Sequence, residues 1–179
     1  INSTRSTTEI QQHAISFLPS RYMLNNLKIL LGKSFNPAVG FRNSLIISIG
    51  STALAVYFSS LTAYALVAYD WKLRQPFFSF IMCVMMIPAQ VTTIGFYQMV
   101  YKIGMTNHLS MLILPAIASP TMVFFMRQYL QPTLSMEIVQ SARIDGAKEF
   151  MIFNRIVLPI MKPALAVQAI FTFVGSWNN

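Results

Sequence analysis

"SARIDGAKEFMIFNRIVLP", residues 141–159, gathers Arg143, Asp145, Lys148, Glu149 and Arg155 into one short stretch. On either side the chain runs for a helix length or more without a charge. Asn43–Tyr69, Gln75–Tyr101 and Ile103–Met126 precede it, and Pro163–Asn179 follows it. About 20 apolar residues suffice for a helix to cross the hydrocarbon core of a bilayer. The charged stretch therefore reads as a loop between membrane spans, and the class of the protein follows from its flanks.

Composition agrees. Of 179 residues, 55% are hydrophobic and only 10% charged, whereas a soluble domain carries roughly 25% charged residues. A buried core does not explain that deficit, because a soluble surface must still be hydrated. The fold class is an all-α, polytopic transmembrane helical bundle. The chain starts at Ile1 without a methionine and stops at Asn179 inside an apolar run, so it reads as a fragment. A cleaved signal peptide is not indicated, since no apolar run stands at the start.

The net charge of +8 does not point to nucleic acid. Its Lys and Arg residues are scattered over loops and span ends, as membrane proteins orient themselves. Cys83 is a single cysteine within a span, so no disulfide framework or cysteine metal site is expected, and it reads as a small apolar filler.

Loop charge sets the orientation. Lys72 and Arg74 lie after the first span, and Arg127, Arg143, Lys148, Arg155 and Lys162 lie after the third. The link between spans two and three holds only Lys102, with His108 nearby. The positive-inside rule places the two basic links in the cytoplasm. Residues 1–40 are then an external segment with a short amphipathic helix, despite Arg5, Arg21, Lys28 and Lys33. Residues 41–179 form the transmembrane domain, with spans at about 43–69, 75–101, 103–126 and a truncated 163–179, and a cytoplasmic loop at 136–159.

Within the first span, Ser44, Ser48, Ser51, Thr52, Ala55, Ser59, Thr62 and Ala63 recur at helical spacing. Small residues in such a row let membrane helices approach closely. The row serves either a partner helix or the chain's own bundle. In the second span Pro88 removes a backbone hydrogen bond and predicts a kink. Gln90 and Thr93 beside it either line a translocation path or bond between helices, since polar groups at that depth face a bundle interior or water. Pro115 and Pro120 interrupt the third span similarly.

The charged loop reads as two short helices. Glu137–Ile144 contains good helix formers, and Asp145-Gly146 is a turn pair that ends the first helix. Ala147–Leu158 is helical again, with Phe150, Phe153 and Val157 on one face and Lys148 and Arg155 on the other. Pro159 stops that helix, and Pro163 suits the first turn of the next. Asp145 and Glu149 are taken as solvated. Periodicity alone leaves a docking element and a link lying on the membrane surface equally open.

The residues then match a family pattern. Gln140-Ser141-Ala142-Arg143-Ile144-Asp145-Gly146-Ala147, followed by Ile156-Val157-Leu158-Pro159, resembles the EAA loop of bacterial ABC-importer permeases. That pattern is Glu-Ala-Ala, three residues, Gly, and after a gap Ile-x-Leu-Pro. Gln140 and Ser141 depart from its first two positions, while Ala142, Gly146 and Leu158-Pro159 keep it. The Ile-Asp-Gly-Ala core and Phe-rich second helix are similar to the carbohydrate-type branch, the smaller permease of maltose and oligosaccharide importers. Phe17–Leu31, Asn43-Ser44-Leu45 and Trp177-Asn178-Asn179 resemble further pieces of that branch.

The resemblance implies a permease subunit moving a sugar or related small polar solute across the bacterial cytoplasmic membrane. It implies a coupling helix, here Gln140 through Pro159 with Phe150, seated in a cleft of an ATP-binding subunit. The implied partners are a second homologous permease, a dimer of ATP-binding subunits, an external solute-binding protein and membrane lipid. ATP and Mg would be bound by the partner, with no cofactor, metal or catalytic residue in this chain. Gln140 keeps hydrogen bonding but loses any salt bridge that the usual acid makes. Gly32-Lys33-Ser34 is no P-loop, because the required earlier glycine is Leu27. His13 and His108 are isolated, and no acids pair inside a span. The competing reading is a non-transporting membrane protein whose cytoplasmic loop docks a soluble partner.

Overall fold

The computed structural model describes residues 1–13, 15–32 and 36–178, with Ala89 described in its backbone only. Two compact units emerge, Ile1–Ser44 and Leu45–Asn179. Lys33, Ser34 and Asn179, which figure in the motifs above, lie outside the described residues.

The first unit is held by polar contacts. Helix α1 (Thr7–Gln12) opens on a capping box between Ser6 and Glu9, which satisfies two otherwise orphaned N–H donors. Arg5 is buried and donates to the His13 and Glu9 carbonyls at 2.8 and 3.1 Å. Asn26 of α2 (Met23–Leu30) donates to the Ser3 and Arg5 carbonyls. The expected single short helix is thus two, each too short to persist without such ties.

Helix α3 (Pro37–Ala68) is the longest element. Asn36 caps it, accepting from the Ala38 and Val39 amides at 3.1 and 3.3 Å, and Pro37 supplies the pre-set first turn. The helix begins six residues earlier than hydropathy suggested, because this cap lies outside the apolar window. In the second unit its small-residue row is turned inward: Ser48, Ser51, Ala55, Ser59 and Ala63 are all buried and Thr52 is half-buried; Ser44, the last residue of the first unit, is half-buried as well. A Cβ on Gly50 would sit 3.1 Å from the Ile113 side chain, and Ser51 donates to the Leu112 carbonyl at 3.3 Å. This face therefore packs inside the chain's own bundle.

The second hydrophobic stretch is not one helix. It divides into α4 (Arg74–Met85) and α5 (Ala89–Lys102), with a bend of 95° between them. Pro88 stands at the break with extended backbone (φ −59°, ψ 132°). Its missing N–H breaks the ladder rather than merely bending it. Cys83 is exposed on α4, not packed as filler.

Gly104 (φ +73°) ends α5 with the amides of Gly104 and Met105 turned back onto the Tyr101 and Val100 carbonyls. That left-handed glycine cap pushes the third span towards the C-terminus. It runs Ser110–Thr133 rather than 103–126. Its parts are α6 (Ser110–Ile113), a 3-10 turn at Leu114–Ile117 around Pro115, and α7 (Pro120–Thr133).

Next come α8 (Met136–Ile144), α9 (Glu149–Ile152), a π turn at Phe153–Val157, α10 (Leu158–Ile160) and α11 (Lys162–Trp177). The helical run from Glu149 continues through the π turn and α10 and stops at Ile160, one residue after Pro159, and the chain bends by 80° before α11. Helices α3 and Ser110–Thr133 are long and apolar enough to cross a membrane, and the bent pairs raise the number of such spans to as many as four. The main core joins α3, α7, α8, the π turn and the start of α11 through Tyr64, Met126, Leu130, Val139, Phe153 and Met161. No strand occurs among the described residues.

Gly146 has φ +80° and open space where a Cβ would stand. Gly146→Ala therefore adds backbone strain without a clash, and is expected to cost about 1–2 kcal/mol. A lowered melting temperature of the purified protein in detergent checks this, and an unchanged one would contradict it.

Candidate functional site

The turn at Gly146 is built by the backbone. Its amide bonds the Arg143 carbonyl and that of Ala147 the Ala142 carbonyl, both at 3.0 Å. This is the paired closure of a Schellman motif, which requires a left-handed residue at the helix exit. Ala142 and Ala147 pack together against the core, so small side chains suit these positions.

Beyond the turn, Phe153, Val157 and Met161 are fully buried. They recur every fourth residue, a spacing wider than the 3.6 of an α-helix, and the π turn absorbs the excess. Ile152 shares the buried side, but Phe150 does not: it is 66% exposed. It lies in the first turn of a helix that starts only at Glu149, not at Ala147. The expected Phe150–Phe153–Val157 face is therefore split, with two members in the core and one on the surface.

The loop presents an outward patch. Ile144 is 86% exposed, and Gln140, Ser141, Asp145, Lys148, Phe150 and Arg155 are exposed with it. Leu158 is half-buried and Pro159 exposed. Bare large apolar side chains of this kind suit contact with another protein or with a membrane surface.

Glu149 is paired as well as partly exposed. Arg143 Nε donates to its Oε1 at 2.6 Å, and the Tyr64 hydroxyl donates to its Oε2 at 3.0 Å. The Arg143 guanidinium also lies over the Tyr69 ring, 5.2 Å from its centroid, a favourable cation–π arrangement. The hydrogen bond from Arg143 holds the Glu149 carboxyl below the usual carboxylate range, with desolvation opposing it. Phe153 meets Tyr57 and Tyr64 of α3 at 5.6 and 5.8 Å between ring centroids, and Tyr57 bonds Asn154 Oδ1 at 3.3 Å. No motif in the sequence singles out Tyr57 and Tyr64. Their spacing of seven puts them on one helix face, a signal that marks a packing surface without naming what covers it.

Elsewhere, Thr93 lies in an open cleft of about 1000 Å³ bounded by Met86, Pro88, Met111 and Pro115. Gln90 is exposed and outside the residues lining that cleft. No group of His, Cys, Asp and Glu able to hold a metal occurs among the described residues.

The chain is thus a helical bundle with helices long and apolar enough to cross a membrane and a capped, outward-facing charged loop. Residues 55–179 match the family model of the binding-protein-dependent transport system inner membrane component, and the chain belongs to that family. Among its relatives is the arabinooligosaccharides transport system permease protein AraQ of Halalkalibacterium halodurans, 38% identical over 99% of this chain and 64% of the relative. The sn-glycerol-3-phosphate transport system permease protein UgpE of Salmonella typhi is 32% identical over 100% and 65%. A crystal structure of a bacterial ABC transporter involved in alginate import shares the fold, with a TM-score of 0.79 at 22% identity over 99% of this chain and 62% of that one. The chain thus spans just under two thirds of the length of these proteins.

Because Glu149 has a lowered carboxyl pKa in the fold, its contribution is complete above the ordinary glutamate value of about 4.3. It is lost as pH falls through the lower folded value. Both partners are partly exposed, so screening limits the effect to about 1 kcal/mol. A melting temperature followed into acid should drop less for Glu149→Gln than for the wild type; parallel curves would dismiss the assignment.

Proposed function

We propose that the chain is the core of a multi-pass permease subunit in a bacterial cytoplasmic membrane, part of a binding-protein-dependent ABC importer for a sugar or related small polar solute. The observation that carries this reading is the exposed loop at 140–159, hydrophobic and charged at once and closed by a left-handed glycine, within a chain of this family. A soluble partner that pushes on the loop must grip something rigid, and the Schellman turn with its buried π turn supplies that. In this reading ATP is hydrolysed by a dimer of separate subunits. A second related permease completes the pathway, and an external binding protein delivers the solute.

The cargo follows from chemistry and relationship together. The relatives are named for arabinooligosaccharides and sn-glycerol-3-phosphate, so polyhydroxylated solutes are the first to test. Thr93, beside a cleft with a broken helix, is a candidate path residue; Gln90 is a weaker one because it lies outside the lining. Broken helices at membrane depth are tolerated where they line a cavity, which supports placing a path along α4, α5 and α6.

The test is uptake of labelled arabino-oligosaccharides by proteoliposomes holding the full-length protein with its candidate partner subunits. Uptake that depends on ATP and on the binding protein is expected. Gly146→Trp and Phe150→Asp should each cut it at least tenfold while membrane insertion is retained. Insertion and partner binding with no uptake of any sugar in a panel would favour a non-transporting docking protein instead.

A further inference from the structure

The loop is joined to the rest of the chain unequally. Towards α3 it is tied by Tyr64 to Glu149, by Tyr57 to Asn154, and by Phe153 against both tyrosines, while the Arg143–Glu149 pair joins α8 to α9 within the loop. Tyr64 is only 2% exposed and Phe153 is fully buried, so these contacts sit in close-packed surroundings that do not deform gradually. At the other two exits the backbone breaks its helical ladder, although Leu134 and Met161 are buried in the same core. Leu134 and Ser135, which join α7 to α8, have extended backbone and interrupt the helical ladder. Between α10 and α11 the chain turns by 80° at Met161.

From this asymmetry we infer that Glu149 is a positioning residue, whose bonds to Arg143 and Tyr64 lock the loop to the 57–69 end of α3 so that both move as one body. Displacement of the loop is then taken up at 134–135 and at Met161. Glu149 suits the task because it bridges three elements: Arg143 closes α8, Glu149 opens α9, and Tyr64 belongs to α3. One carboxylate accepts from both donors, so losing it releases α8 and α9 from α3 at once. A residue acting only at the surface contact would leave the α3 side intact. The inference rests on the permease reading above for what drives the loop, but the tie itself is a property of this chain.

Spin labels on the full-length protein, assembled with its ATP-binding subunits in vesicles, test it. Cys83 is exposed and is first replaced by Ser. One pair of labels joins Met151→Cys to Asp70→Cys just beyond α3; a second joins Met151→Cys to Val167→Cys on α11. Between the nucleotide-free and ADP–vanadate states, the 70–151 distance should stay fixed and narrow while the 151–167 distance shifts. Glu149→Gln and Tyr64→Phe should broaden the 70–151 distribution and lower solute moved per ATP several-fold, with the complex still forming. A 70–151 distance that changes as much as 151–167 in a transporting complex overturns the tie, as do variants that leave the 70–151 distribution as narrow as in the wild type. If neither distance responds to nucleotide and nothing is transported, the permease reading falls and the moving lever falls with it.

Discussion

Phe153, fully buried between Tyr57 and Tyr64, is the contact on which the arrangement of the second unit depends. It fixes the hydrophilic loop against α3 and so decides which loop residues face out. Edge-to-face aromatic pairs add about 0.5–1.5 kcal/mol each beyond the area they bury. Around it Val139, Ile152, Val157 and Met161 close the core from α8 through the start of α11. With that side seated, Ile144 and Phe150 are left exposed, and the patch proposed to meet a partner exists because its opposite side is occupied.

Packing within the spans follows a different rule. Between helices in lipid there is little hydrophobic gain, so close approach and dispersion do the joining. The serines and alanines of α3, with Gly50 against Ile113, allow that approach. Their hydroxyls are treated variously. Ser60 and Thr62 donate back to the Val56 and Phe58 carbonyls of their own helix, a local solution that small β-hydroxyls permit. The hydroxyls of Ser48, Thr52 and Ser59 are buried without a partner among the described residues, which marks this face as chosen for size over bonding.

The places where helix and hydropathy part company are all at prolines and glycines. Hydropathy averages over a window and sees neither a missing N–H nor a left-handed cap. Hence a continuous apolar run at 75–101 became two helices about Pro88, and the next span was displaced by Gly104. Pro159 behaves as its ring dictates: the helical run from Glu149 ends one residue beyond it, at Ile160.

The sequence by itself determined the all-helical membrane class, the family, the Gly146 turn and the small-residue row on α3. Each of these follows from composition, short-range spacing or backbone chemistry within a few residues. The tertiary structure alone decided that Phe150 faces out while Phe153 faces in, that Glu149 is paired with Arg143 and Tyr64, and that α3 spends its small face inside its own bundle. Those outcomes depend on Tyr57 and Tyr64 meeting Asn154 and Glu149, partners more than eighty residues away in the chain. Local periodicity carries no information about which distant surface will arrive to cover a face; only the packed bundle supplies it.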